Sequence, residues 1–127
     1  MIGDCTRTLI WVNCGHPPAY LADLDGNLTE LKSPAHPALG TGEDEATFTS
    51  TERQLQTGDR VILVTDGILE RHTEGGGRFG LEGLKRAVAR VENPTAPATA
   101  MAIQQAVTDC WREPLEDDGT VAVLAIA

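Results

Sequence analysis

Val61-Ile62-Leu63-Val64-Thr65-Asp66-Gly67 is the stretch that decides the fold. The apolar run Val61 to Val64 has the composition of a strand covered on both faces. It ends on an acidic residue and a glycine. A second stretch has the reverse order: Asp117-Asp118-Gly119-Thr120 precedes the apolar run Val121-Ala122-Val123-Leu124-Ala125-Ile126. A carboxylate at the mouth of a buried strand is costly to desolvate unless something positive meets it, and a hard divalent cation is the usual compensation. Asp-Gly is also a common turn dipeptide, and on spacing alone the turn is the more frequent reading of both sites. Spacing alone leaves the two readings open.

Outward from this strand, Thr57-Gly58-Asp59 turns the chain into Arg60 to Val64, and Ala46 to Leu55 alternates in strand fashion before it. Further upstream, Thr8 to Asn13, Ala19 to Asp23 and Leu28 to Leu31 read as strands. Asp25-Gly26-Asn27 supplies the hairpin turn between the last two. Gly15-His16-Pro17-Pro18 forces an irregular connection, because consecutive prolines cannot donate to a ladder. Ser33 to Glu45, rich in proline and glycine, reads as loop. Downstream the period changes. Leu81, Leu84, Val88 and Val91 fall on one helical stripe that Asn93-Pro94 ends. A second helix is expected from about Thr99 to Trp111, with Ile103, Val107 and Cys110 or Trp111 inward, and a final strand from Thr120 to the end. Strands first, helices next and a strand returning indicate an α+β layer fold; a parallel wound sheet is the alternative.

A chain of 127 residues with 41% hydrophobic content buries one core, which predicts one domain or part of one. Its formal net charge of −9 argues against a nucleic-acid or anionic-membrane partner and suits a site that collects cations. The longest apolar run is too short to span a bilayer, and the first residues lack the pattern of a secretion signal. A soluble cytoplasmic protein is the expectation. Cys5, Cys14 and Cys110 form no CxxC pair and leave an odd count, so they read as reduced and mostly buried.

The ordered set Val12-Asn13-Cys14-Gly15-His16-Pro17-Pro18, Leu39-Gly40, Gly58-Asp59-Arg60, Thr65-Asp66-Gly67-Ile68-Leu69-Glu70, Phe79-Gly80 and Asp117-Asp118-Gly119-Thr120 resembles the metal-dependent (PPM-type) protein phosphatases. More narrowly it resembles the branch of stage II sporulation protein E and the sigma-B regulatory phosphatases. The resemblance implies part of an αββα β-sandwich, mainly antiparallel, flanked by two helices. It also implies two Mn2+ or Mg2+ ions that activate water for hydrolysis of a phosphoserine or phosphothreonine ester. On this basis Asp66 and Asp117 match the family's metal-binding aspartates, with Asp118 the lesser candidate of its pair. The substrate it implies is a phosphoprotein, namely an anti-sigma-factor antagonist.

Residues 1–127 match only the C-terminal portion of the single family domain. Family members carry a metal-bridging aspartate and a second acidic-glycine motif further upstream, and Asp4 falls in a later strand or loop. The chain alone is therefore expected to be inactive or weakly active. The other function class is a non-catalytic remnant acting as a binding module, including a homodimer that completes an open sheet edge. Locally, Arg71-His72 follows Glu70 where the family often has a small residue, and Cys14 stands where alanine is commoner. His16 reads as a loop pin ahead of a proton donor. His36 and His72 lie in unrelated polar segments. Gly75-Gly76-Gly77 reads as a flap or hairpin rather than a phosphate loop. Glu70 is either a support for the metal ligands or an exposed loop acid, and Trp11 and Trp111 are packing residues.

Overall fold

The computed structural model describes residues 7–40 and 48–127. The chain runs β1 (Arg7–Trp11), β2 (Asn13–Cys14), β3 (Ala19–Ala22), β4 (Leu28–Leu31), β5 (Ala35–His36), β6 (Thr51–Leu55), β7 (Arg60–Val64), α1 (Asp66–Leu69), α2 (Gly80–Ala89), α3 (Ala96–Asp109) and β8 (Val121–Ala125). The main sheet has the order β4-β3-β7-β8 with every neighbour antiparallel. β1 and β6 form a separate antiparallel ribbon, and β2 pairs in parallel with β5.

Period-two alternation sorts the main sheet's side chains onto two faces. Tyr20, Ala22, Ile62 and Val64 point toward the helices and pack with Ile68, Phe79, Leu84, Ala87, Val88, Ile103 and Val107. Their sheet neighbours Leu21, Leu31 and Val61 point the other way and meet Leu55 of the ribbon, with Leu9 and Trp11 beside them. Helices, sheet and ribbon thus make an α+β layered fold, as the pattern predicts. The ribbon covers only part of the sheet's outer face. Leu63 is consequently 41% exposed, so β7 is not covered on both faces along its whole length.

Other expectations shift at their edges. In α2 the buried stripe is Gly83, Leu84, Ala87 and Val88, while Leu81 is 38% exposed. Phe79, just ahead of α2, fills the core at this end of the helix, and a Cβ on Gly83 would meet the Phe79 ring at 2.5 Å. α3 begins earlier than Thr99. Thr95 caps it by accepting from the Ala98 N–H at 3.2 Å, and Pro97 sits in the first turn, where no amide is needed. Within the stretch expected as a strand from Ala46, residues 48–50 are irregular and β6 starts at Thr51. Ala46 itself lies outside the described residues, as do Asp4, Cys5 and residues 41–45 of the expected loop. β2 is a separate strand at the end of the expected strand Thr8 to Asn13, and its partner β5 falls where loop was expected. Cys14 and Cys110 are unpaired and only half-buried. No helix among the described residues is long and apolar enough to cross a membrane.

Candidate metal centre

The β7–β8 register builds this site. Val64 faces Val121, so the residues that follow β7 lie against those that precede β8. Two bonds close the junction: the Thr65 N–H donates to the Thr120 carbonyl at 3.1 Å, and the Thr120 N–H donates to Thr65 Oγ1 at 2.9 Å. Beyond it Gly67 meets Asp118 so closely that a Cβ on Gly67 would stand 2.2 Å from the Asp118 carbonyl oxygen. The two acidic stretches, fifty residues apart in sequence, are therefore neighbours at one end of the sheet.

Asp66 opens α1, a single turn in which the Glu70 N–H donates to the Asp66 carbonyl at 2.8 Å. Its side chain is exposed, as are those of Asp117, Asp118 and Glu70. Asp117 Oδ1 accepts from the Asp118 N–H at 2.8 Å, which turns the loop locally. A Cβ on Gly119 would meet Ile68 Cδ1 at 2.8 Å, so the loop lies flat on α1. Carboxylate oxygens open to water suit a hard divalent cation in kind. In number the set is incomplete: among the described residues no three His, Cys, Asp or Glu side chains come together to hold a metal.

The segment after α1 grips the loop before Asp117. Arg71 donates from Nη1 to the Pro114 carbonyl at 2.7 Å and from Nη2 to the Trp111 carbonyl at 3.2 Å and to the Glu113 carbonyl. Its guanidinium carbon also lies 5.5 Å from the Trp111 ring centroid. His72 Nδ1 is 2.5 Å from Glu116 Oε1, and this bond holds the Glu116 carboxyl below the usual carboxylate range. The Glu74 N–H donates to the Cys110 carbonyl at 3.1 Å. The sequence marks Arg71-His72 only as a local departure from a family pattern, and His72 only as a polar-segment residue. Their contacts lie about forty residues away, and no periodicity signals them.

The remaining singled-out residues make local bonds of their own. The His16 N–H donates to Asn13 Oδ1 at 3.0 Å, and its ring Nδ1 lies 2.8 Å from the Pro17 carbonyl, which pins the loop. His36 Nε2 accepts from the Thr49 N–H at 3.1 Å. Gly75-Gly76-Gly77 sits in a tight turn closed by the Thr73 N–H on the Gly77 carbonyl at 2.9 Å and by the His72–Arg78 bridge. An apolar groove of about 380 Å³ lies on the sheet's outer face between Leu9, Trp11, Leu63 and Leu124, and none of the three aspartates lines it.

The family model of stage II sporulation protein E (SpoIIE) matches residues 2–127. Among solved structures, the PP2C domain of SiaA from Pseudomonas aeruginosa is 25% identical, with a TM-score of 0.76 over 95% of this chain and 47% of that one. The Mn-presoaked phosphatase domain of SpoIIE from Bacillus subtilis is 21% identical, with a TM-score of 0.65 over 97% and 51%. The RsbU and RsbW domains of a Mycobacterium tuberculosis protein are 23% identical, with a TM-score of 0.71 over 97% and 34%. The α+β fold is thus that of the PP2C phosphatase domains, and the chain spans about half the length of the first of these structures or less. No curated protein matches it.

Proposed function

The chain belongs to the stage II sporulation protein E family, and from that membership we propose that residues 1–127 form the C-terminal portion of one PPM-type domain that hydrolyses phosphoserine or phosphothreonine in a regulatory protein. Asp66 and Asp117, with Asp118 as the lesser candidate of its pair, hold Mn2+ or Mg2+ in the complete domain. The β7–β8 register carries this assignment, because it sets Asp66-Gly67 against Asp118-Gly119 at an exposed sheet end. Bound there, such ions supply Lewis acidity toward the phosphoryl oxygens and lower the pKa of a coordinated water.

This chain's own residues prepare that end of the sheet. Thr65 and Thr120 lock the strand termini to each other, Gly67 lets the two backbones touch, and α1 keeps Asp66 facing water. With the acidic set incomplete, the chain alone binds metal weakly and turns over little substrate. An anti-sigma-factor antagonist in a cytoplasmic partner-switching pathway is the substrate we propose, from family membership. The outer-face apolar groove favours a second reading, in which the isolated chain is a dimerisation module. Calorimetry with Mn2+ on the wild-type chain and Asp66→Asn tests the assignment: binding abolished by the substitution is expected, and equal binding by both proteins contradicts it.

A further inference from the structure

We propose that Arg71 is a positioning residue for the acidic loop, so that metal affinity at the Asp66–Asp117 end of the sheet depends on a side chain that touches no metal. The inference rests on the metal-site reading above. Arg71 is only 4% exposed, yet among the described residues no carboxylate lies in ion-pair contact with it, although its charge helps to hold the Glu116 carboxyl low. Its charge is met instead by the main-chain carbonyls of Trp111, Glu113 and Pro114 and by the Trp111 ring. Burying a guanidinium out of contact with any carboxylate is costly unless its N–H groups find acceptors. Here the fork spends its two Nη groups on three carbonyls of one loop while Nε stays without a partner, and a lysine's single ammonium cannot match that spread.

Between Trp111 and Leu115 the loop has little else to order it. Every side chain from Arg112 to Thr120 is exposed, so apolar burial contributes almost nothing to its path. Arg71 follows directly from the turn that begins at Asp66: the Glu70 N–H bonds to the Asp66 carbonyl and the Arg71 N–H to the Ile68 carbonyl. One short rigid segment thus carries Asp66 at its start and grips the loop of Asp117 at its end. His72 repeats the grip on Glu116, next to Asp117.

The test uses the chain as it stands, Mn2+ alone as probe, and Arg71→Met, Arg71→Lys and Asp66→Asn variants. Arg71→Met is expected to weaken Mn2+ binding about 10- to 100-fold, the scale set by partners that orient metal ligands. It should also speed amide exchange across 111–118 while exchange in β3 and β7 stays at wild-type rates. Arg71→Lys should recover only part of both losses, and it takes the place of Arg71→Met if the latter does not fold. Wild-type Mn2+ affinity in the Arg71 variants, with Asp66→Asn inactive in binding, overturns the positioning role alone. No Mn2+ binding by the wild type, or unaltered binding by Asp66→Asn, overturns the metal reading and the affinity claim with it. Unchanged exchange at 111–118 overturns the grip itself.

Discussion

At the residue scale Gly67 is the tightest constraint. It has no positive φ, so its backbone conformation does not demand glycine. Contact does: a Cβ would sit 2.2 Å from one backbone atom of Asp118 and 2.9 Å from another. Gly67→Ala should therefore part the two acidic stretches and cost about 1–3 kcal/mol, the usual scale of overpacking. A urea midpoint unchanged from wild type would show that the loops can separate freely. Asp23 makes a second residue-scale prediction. Its carboxylate accepts from the Asn27 N–H at 3.0 Å, the Asp25 N–H at 2.9 Å and Asn27 Nδ2 at 3.2 Å, and the Asn27 backbone bond is the main cause holding it below the usual aspartate range. A folded-state value below the unfolded one stabilises the fold at neutral pH. That contribution fades as pH falls from the ordinary aspartate range through the folded value. Asp23→Ala should flatten that part of the curve of stability against pH, measured by urea unfolding at a series of pH values.

At the element scale, β7, α2, α3 and β8 were legible because each carries its own signal: a continuous apolar run or a 3.6-residue stripe. Ile103 and Val107 are buried as their spacing predicts. The start of α3 was misread because the stripe begins at Thr99, whereas the cap Thr95 and Pro97 lie ahead of any buried residue. Thr95→Ala should cost about 1 kcal/mol in thermal or chemical unfolding. Thr99 has a different role. It is fully buried, donates to the Thr95 carbonyl at 2.8 Å and accepts from Arg60 Nη1 at 3.1 Å. Arg60, itself buried, also donates to the Asp23 carbonyl at 2.7 Å and so ties α3 to the β3–β4 turn. Thr99→Val should cost about 1–3 kcal/mol, because a buried cation donor is left unmet. Equal stability of Thr99→Val and wild type would contradict that tie. The single turn α1 and the pair β2–β5 were illegible for the opposite reason. They are shorter than any period and are fixed by distant partners, as are the contacts of Arg71.

At the scale of the whole molecule, the sheet's outer face is only partly covered by the β1–β6 ribbon. Leu63 is 41% and Leu124 55% exposed, and both line the groove on that face. Contiguous apolar surface of this kind drives association, and the net charge of −9 opposes it. The isolated chain is expected to self-associate increasingly as salt screens that charge. Sedimentation should show a larger monomer fraction for the Leu63→Gln, Leu124→Gln double variant, and a wild-type distribution in that variant would place the contact elsewhere. The candidate site was legible as two acidic stretches, and their adjacency became visible only through the β7–β8 register. The central claim is that Asp66 belongs to a metal-dependent phosphatase site, and the most direct measurement is Mn2+-dependent phosphate release from a phosphoserine peptide. The protein to use is this chain extended upstream to the complete domain, as wild type and as Asp66→Asn. The account predicts a folded variant that has lost more activity than the roughly 10- to 100-fold that removing an outer partner costs; undiminished Mn2+-dependent turnover in Asp66→Asn would contradict it.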